Sequence, residues 1–150
     1  MTDIFGKFLG AILAFILMIC SPLVLTLTME EITDRRSVIN ECSNLVDEVC
    51  DTRTLTEDQL ADFNLGVASF GLLLDTEVNR YMKVINPDPN NPGQTHTSYV
   101  LTDNNSTFNQ GDLIEVKVDT IGFTAAQTIV LKLAGVILPD FEYKQVGRVR

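Results

Sequence analysis

An α+β fold, with a long N-terminal helix and a small antiparallel β-sheet head packed on helices, follows from three features of the sequence. Residues 8–28 carry no charge. From Met29 onward, apolar residues recur at helical spacing as far as Val49. After Gly71 the apolar period drops to two, the spacing of a half-buried strand.

The uncharged run reads FLGAILAFILMICSPLVLTLT. Its 21 residues make a helix of about 32 Å, which matches a bilayer core of about 30 Å. It is apolar on all sides, unlike an amphipathic surface helix. Pro22 predicts a kink of the kind membrane helices tolerate. A cleaved signal peptide and a buried core helix are the competing readings. The first is disfavoured because Ile19, Cys20, Leu27 and Met29 stand where a signal peptidase needs small residues. The expected protein is single-pass, touching membrane lipid, with its C-terminal domain extracytoplasmic. The tail before the span is only seven residues, and a long domain translocates largely regardless of its charge.

Residues 29–70 form the expected neck and a short helix. Ile32, Ile39, Cys42, Val46 and Val49 lie at intervals of three, four and seven, and no Gly or Pro interrupts residues 23–50. One rod, half in lipid and half amphipathic, is the simplest model. Glu31 and Arg35 are an ion pair in the favourable order on it. Thr56 and Gln59 have the spacing of a capping box. The helix they open buries Leu60, Phe63 and Val67, and Gly66 and Gly71 weaken and end it.

Residues 71–150 form the expected head. Leu74, Val78, Met82 and Val84 share one parity and predict a first strand. The run NPDPNNPG over residues 86–93 predicts irregular structure. A second strand is placed near residues 96–101, and residues 103–111 read as a polar loop. Ile114, Val116 and Val118 alternate with Glu115, Lys117 and Asp119, the clearest strand in the chain. Thr124 caps a last helix carrying Ala126, Ile129, Val130 and Leu133, closed by Gly135. Its surroundings hold a single charge, Lys132, between residues 120 and 139, and the helix reads as a core or interface element. Residues 141–149 predict a final strand.

The net charge of −9 argues against a nucleic-acid partner. Ten of the twenty acids lie between Glu30 and Asp62, whereas the C-terminal tail carries Lys144, Arg148 and Arg150. Cys42 and Cys50 are eight residues apart, about 12 Å on one helix and beyond a disulfide. No catalytic or nucleotide-binding motif is present, and no cofactor or metal is expected. His96 has no partner in the sequence. The oxygen-rich run from Asp103 to Asp112 lacks the glycine and glutamate of an EF-hand, and turn chemistry explains it equally. Asn104 and Asn105 each head a glycosylation sequon.

The anchor, the segment ECSNLVDEVCDTRTLTEDQLADF over residues 41–63, the stretch FNQGDLIEVKV over residues 108–118 and the closing segment 141–150 together carry a likeness. In these the chain resembles the TadE-like, type IV pilin-like pilus-assembly proteins (pseudopilins) of Gram-positive bacteria. It departs from type IV pilins in having no glutamate within the span: Ala11 and Phe15 occupy the places set by Gly6 and Gly10. The resemblance implies a structural or assembly subunit of a cell-surface filament or secretion apparatus, with like or pilin-like subunits as partners. The alternative is a membrane-tethered binding module that does not polymerise. In the first reading Ile32, Ile39, Cys42, Val46 and Val49 cover the head or meet neighbouring rods. Lys144, Arg148 and Arg150 lie against the acidic neck of another subunit.

Overall fold

The computed structural model describes residues 2–89, 91, 93–103, 106–135, 137 and 139–150. In chain order the elements are α1 (Thr2–Thr52), α2 (Glu57–Ser69), β1 (Leu74–Pro87), β2 (Thr95–Thr102), β3 (Leu113–Thr120), α3 (Ala125–Ala134) and β4 (Glu142–Arg148). The fold is α+β, as the periodicities predict.

Helix α1 is continuous over 51 residues, about 76 Å. It runs through Pro22 and through Thr28, so the uncharged run and the neck form one rod. The hydroxyls of Thr26 and Thr28 donate back to the carbonyls of Pro22 and Val24, at 2.9 and 2.7 Å, so both are paired within the helix. The rod ends where Arg53 adopts a positive φ of 61° and its N–H closes on the Val49 carbonyl at 2.8 Å. Helix α2 then starts on the predicted capping box: the Thr56 hydroxyl accepts from the Gln59 N–H, and the Gln59 side chain accepts from the Thr56 N–H. It turns Phe63 and Val67 inward. Gly66 faces the Glu41 side chain of α1, where a Cβ would make ordinary contact at 3.6 Å from Glu41 Cδ.

The four strands are antiparallel in the order β2-β1-β3-β4. Strand β1 is shared unequally. Its residues 74–81 pair with β3 and its residues 80–87 pair with β2. The far half of β1 and the whole of β2 therefore form a two-stranded ribbon that projects past β3.

The core lies between the inner face of the sheet and α1 and α2. Ile114, Val116 and Val118 are completely buried, as the alternation in β3 predicts. They join Val38, Cys42, Leu45, Val46 and Val49 of α1 and Phe63 and Val67 of α2. Neck and head thus share one core. Strand β4 reaches α1 through Gly147, whose Cα faces Val46 Cγ1 and Cys50 Sγ so closely that a side chain has no room.

Several expectations need correction. Met82 does not join the core: it sits on the ribbon, beyond the cover of the helices, and is exposed. Arg80, on the same parity, is buried in its stead. Strand β1 continues through Asn86 and Pro87, because Pro87 stands at the last paired position and opposite Thr95. The polar loop before β3 contributes the buried Phe108. In α3, Val130 is buried while Ile129 and Leu133 remain largely exposed. The sequons at Asn104 and Asn105 lie outside the described residues.

Candidate interaction surfaces

Four regions of the chain are candidates for contact with something else. The first is the rod. Every described side chain from Ile4 to Ile19 is exposed, and the run is long and apolar enough to cross a membrane. Farther along, Cys42, Val46 and Val49 are buried in the chain's own core. Ile39 is half-buried and Ile32 is exposed, so only these two of the five stripe residues present area to a neighbour. Val38 and Leu45 continue the three-and-four spacing and belong to the buried stripe. All three cysteines are free. Burial pushes the Cys42 thiol up to about 11. It raises Cys50 too, with Asp47 and Asp51 adding and Arg150 opposing. Neither is a poised nucleophile.

The second region is the join between α1 and α3. The sequence pairs Glu31 with Arg35 one helical turn apart. In the structure Glu31 is 4% exposed and accepts three hydrogen bonds. They come from Thr124 Oγ1 at 3.1 Å, Gln127 Nε2 at 2.9 Å and Arg35 Nε at 3.2 Å. Thr124 and Gln127 are also the capping box of α3, so one carboxylate secures both the helix start and its docking. Arg35 donates in turn to the Pro139 carbonyl at 2.8 Å and stacks over Phe141.

The third region is the basic end. Lys144 points to the outer sheet face and meets Glu115 Oε2 at 2.5 Å. Arg150 lies 3.9 Å from Asp51, both well exposed. Two of the three predicted tail cations therefore face acids of the same chain. Among the described residues, Arg148 and Lys83 form no ion pair. Together with Arg150 they line an open cleft of about 660 Å³ floored by Gly111. Below it lies a buried pair that the sequence did not reveal. Asp112 accepts from Arg80 Nε and Nη2 at 3.0 and 2.6 Å and from the N–H groups of Lys83 and Asn109, both at 2.9 Å. Burial alone would raise this carboxyl. The two N–H donors and the Arg80 guanidinium outweigh it and hold the carboxyl below the usual carboxylate range. Both oxygens of Asp112 are thus committed to the protein rather than to a cation. Among the described residues no three metal-ligating side chains converge.

The fourth region is the β1–β2 ribbon. Ile85, Tyr99 and Leu101 lie on one face, with Leu101 opposite Tyr81 and Tyr99 opposite Lys83. Val100 and Met82 are opposed on the other face. Both faces are thus partly apolar and exposed. No protein-family model, curated protein or solved structure matches the chain.

Proposed function

We propose that the chain is a membrane-anchored structural or assembly subunit of a pilus-like surface filament or secretion apparatus, without catalytic activity. The observation that carries this reading is the division of α1. One half is integrated into the head's core, and the other projects, with every described side chain from Ile4 to Ile19 exposed. Such a surface needs an apolar medium, and both a bilayer and the packed rods of neighbouring subunits supply one. The rod-and-head outline is that of the pilin-like families which the sequence resembles. In this reading the head is extracytoplasmic, Ile32 and Ile39 face neighbouring rods, and Arg148 meets the acidic neck of another subunit. Like-charged necks repel, so a cation between them favours packing. Each exposed pair contributes about 0–1 kcal/mol, and repetition along an array sums them.

A tethered, non-polymerising binding module is the second reading, favoured by the apolar ribbon at Ile85, Tyr99 and Leu101. The two separate in electron micrographs and cross-linking ladders of the complete chain. The assembly reading expects filaments or ladders that weaken when Arg148 and Arg150 are reversed to glutamate. High salt is expected to weaken them in part, since screening sets in over about 8–10 Å at ordinary ionic strength. Monomers at every concentration replace it with the module.

A further inference from the structure

The apolar surface of this chain does not stop at α1. Helix α3 runs antiparallel beside it. The N-cap Thr124 meets Glu31, and Leu133 lines a hollow with Leu17, Cys20, Ser21, Val24 and Leu25. On α1, Cys20, Val24, Leu27, Thr28 and Glu31 lose exposure in steps of three, four and one, a single stripe beneath α3. From its cap to Leu133, α3 descends about 13 Å. The descent starts at the head-side end of residues 8–28 and leads toward their middle. Among the described residues of α3, Val130 and Gln127 are buried against the rod. Ile129 and Leu133 stay largely exposed, Ile137 follows them, and Ile121 and Phe123 precede them, all exposed.

We infer that the described residues between Ile121 and Pro139 form a second membrane element: a hairpin immersed among phospholipid acyl chains in the head-side leaflet, beside the span. The inference rests on the anchor reading above. Its occupant follows from position, because the exposed residues of α3 extend the apolar surface of the span at the same depth. Polar bookkeeping agrees, since hydrocarbon admits only backbone that is satisfied internally. At the start of α3 the N–H groups of Thr124 and Gln127 are paired within the capping box. The Thr128 hydroxyl returns to the Thr124 carbonyl at 3.0 Å, and the Gly135 N–H to the Leu131 carbonyl at 2.9 Å. Pro139 brings no N–H, and its carbonyl accepts from Arg35. The one charge, Lys132, has a route to water. Side chains lean toward a helix's N-terminus, which in α3 is the head side, and a lysine stem can snorkel that way. Two insertions hold the head directly on the bilayer, with the Glu31 network at the joint, instead of on a free stalk.

The chain contains no tryptophan, so one introduced residue is a clean reporter. The complete chain is reconstituted in phosphatidylcholine vesicles with Leu133→Trp, Ile137→Trp, Leu13→Trp in the span, or Tyr99→Trp on the ribbon. Quenching by lipid brominated on its acyl chains is then compared. Leu133→Trp and Ile137→Trp are expected to lose most of their emission, as Leu13→Trp does, while Tyr99→Trp keeps its own. Ile137 is 69% exposed, so its variant tolerates the larger ring and guards against misfolding at Leu133. If Leu13→Trp is quenched and both hairpin reporters match Tyr99→Trp, protein or water covers the hairpin. The lipid inference then falls and the anchor stands. If none is quenched, the anchor falls and the inference with it.

Discussion

Between residues 4 and 19, α1 buries no side chain; between residues 38 and 50 it buries six. Both stretches are helical, and both are rich in apolar residues. They differ in arrangement. In the second, Val38, Cys42, Leu45, Val46, Val49 and Cys50 form one stripe, with Asp47, Glu48 and Asn44 turned to water. A stripe can be satisfied by one partner surface, and the sheet provides it. The first stretch is apolar all round, and no single face of a small head can cover it. The comparison teaches that hydrophobic content says little about where a helix belongs. The angular distribution of that content decides whether the chain folds onto the helix or leaves it for another medium.

The comparison breaks most visibly if charge is placed in each half separately. Ile12→Arg with Ile16→Arg puts two guanidinium groups on the bare stretch, at about 2.5–3.5 kcal/mol each and about 5–7 kcal/mol together. The expected outcome is loss of the chain from the floating fraction in a membrane flotation assay, with the melting of the head unchanged. A head that melts earlier would show that the two halves are coupled.

Asp112→Ala addresses the other side. It removes the carboxylate of a buried ion pair with Arg80, which typically costs about 3–5 kcal/mol. Thermal denaturation should show the loss, while flotation stays as in the wild type. The same carboxylate gives the head an acid limit. Its folded pKa lies below the unfolded one, so its contribution is complete above the unfolded value of about 3.9 and is lost as pH falls through the folded value. Melting temperatures between neutral pH and strong acid should fall at the acid end for the wild type. Asp112→Asn should flatten that part of the curve.

Two glycines sharpen the contrast at smaller scale. At Gly147 a Cβ would collide with Val46 Cγ1 and lie 2.7 Å from Cys50 Sγ. Gly147→Ala should therefore cost the head about 1–3 kcal/mol in denaturant unfolding, the usual price of overpacking. At Gly10 nothing lies within 4 Å, and Gly10→Ala should leave head stability alone. The smallest expected effect is Thr56→Ala. It removes the cap of α2 and should lower stability by about 1 kcal/mol in the same assay. No change would mean that α2 is held by Phe63 and Val67 alone.

What the sequence determined by itself is what short-range pattern encodes. The uncharged run, the helix running on to Val49, the capping box at Thr56, the cap at Thr124, the Gly135 stop and the alternation in β3 are each written within a few residues. Each depends on contacts that a helical turn or a strand makes with itself. The candidate surfaces were legible only in part. Lys144, Arg148 and Arg150 are visible as charges, but their counterparts Glu115 and Asp51 are not. Tertiary structure alone decided which apolar residues the helices cover. It left Met82 on the ribbon and drew Arg80 inward to Asp112, 32 positions away. It buried Glu31 against Thr124 and Gln127, 93 and 96 positions away, and laid α3 along the span. Such pairs leave no local signature, because an isolated carboxylate or arginine reads as a surface residue until its partner is known. The stagger of β1 between β2 and β3 is equally hidden: alternation sets the faces of a strand but not how far its neighbours extend.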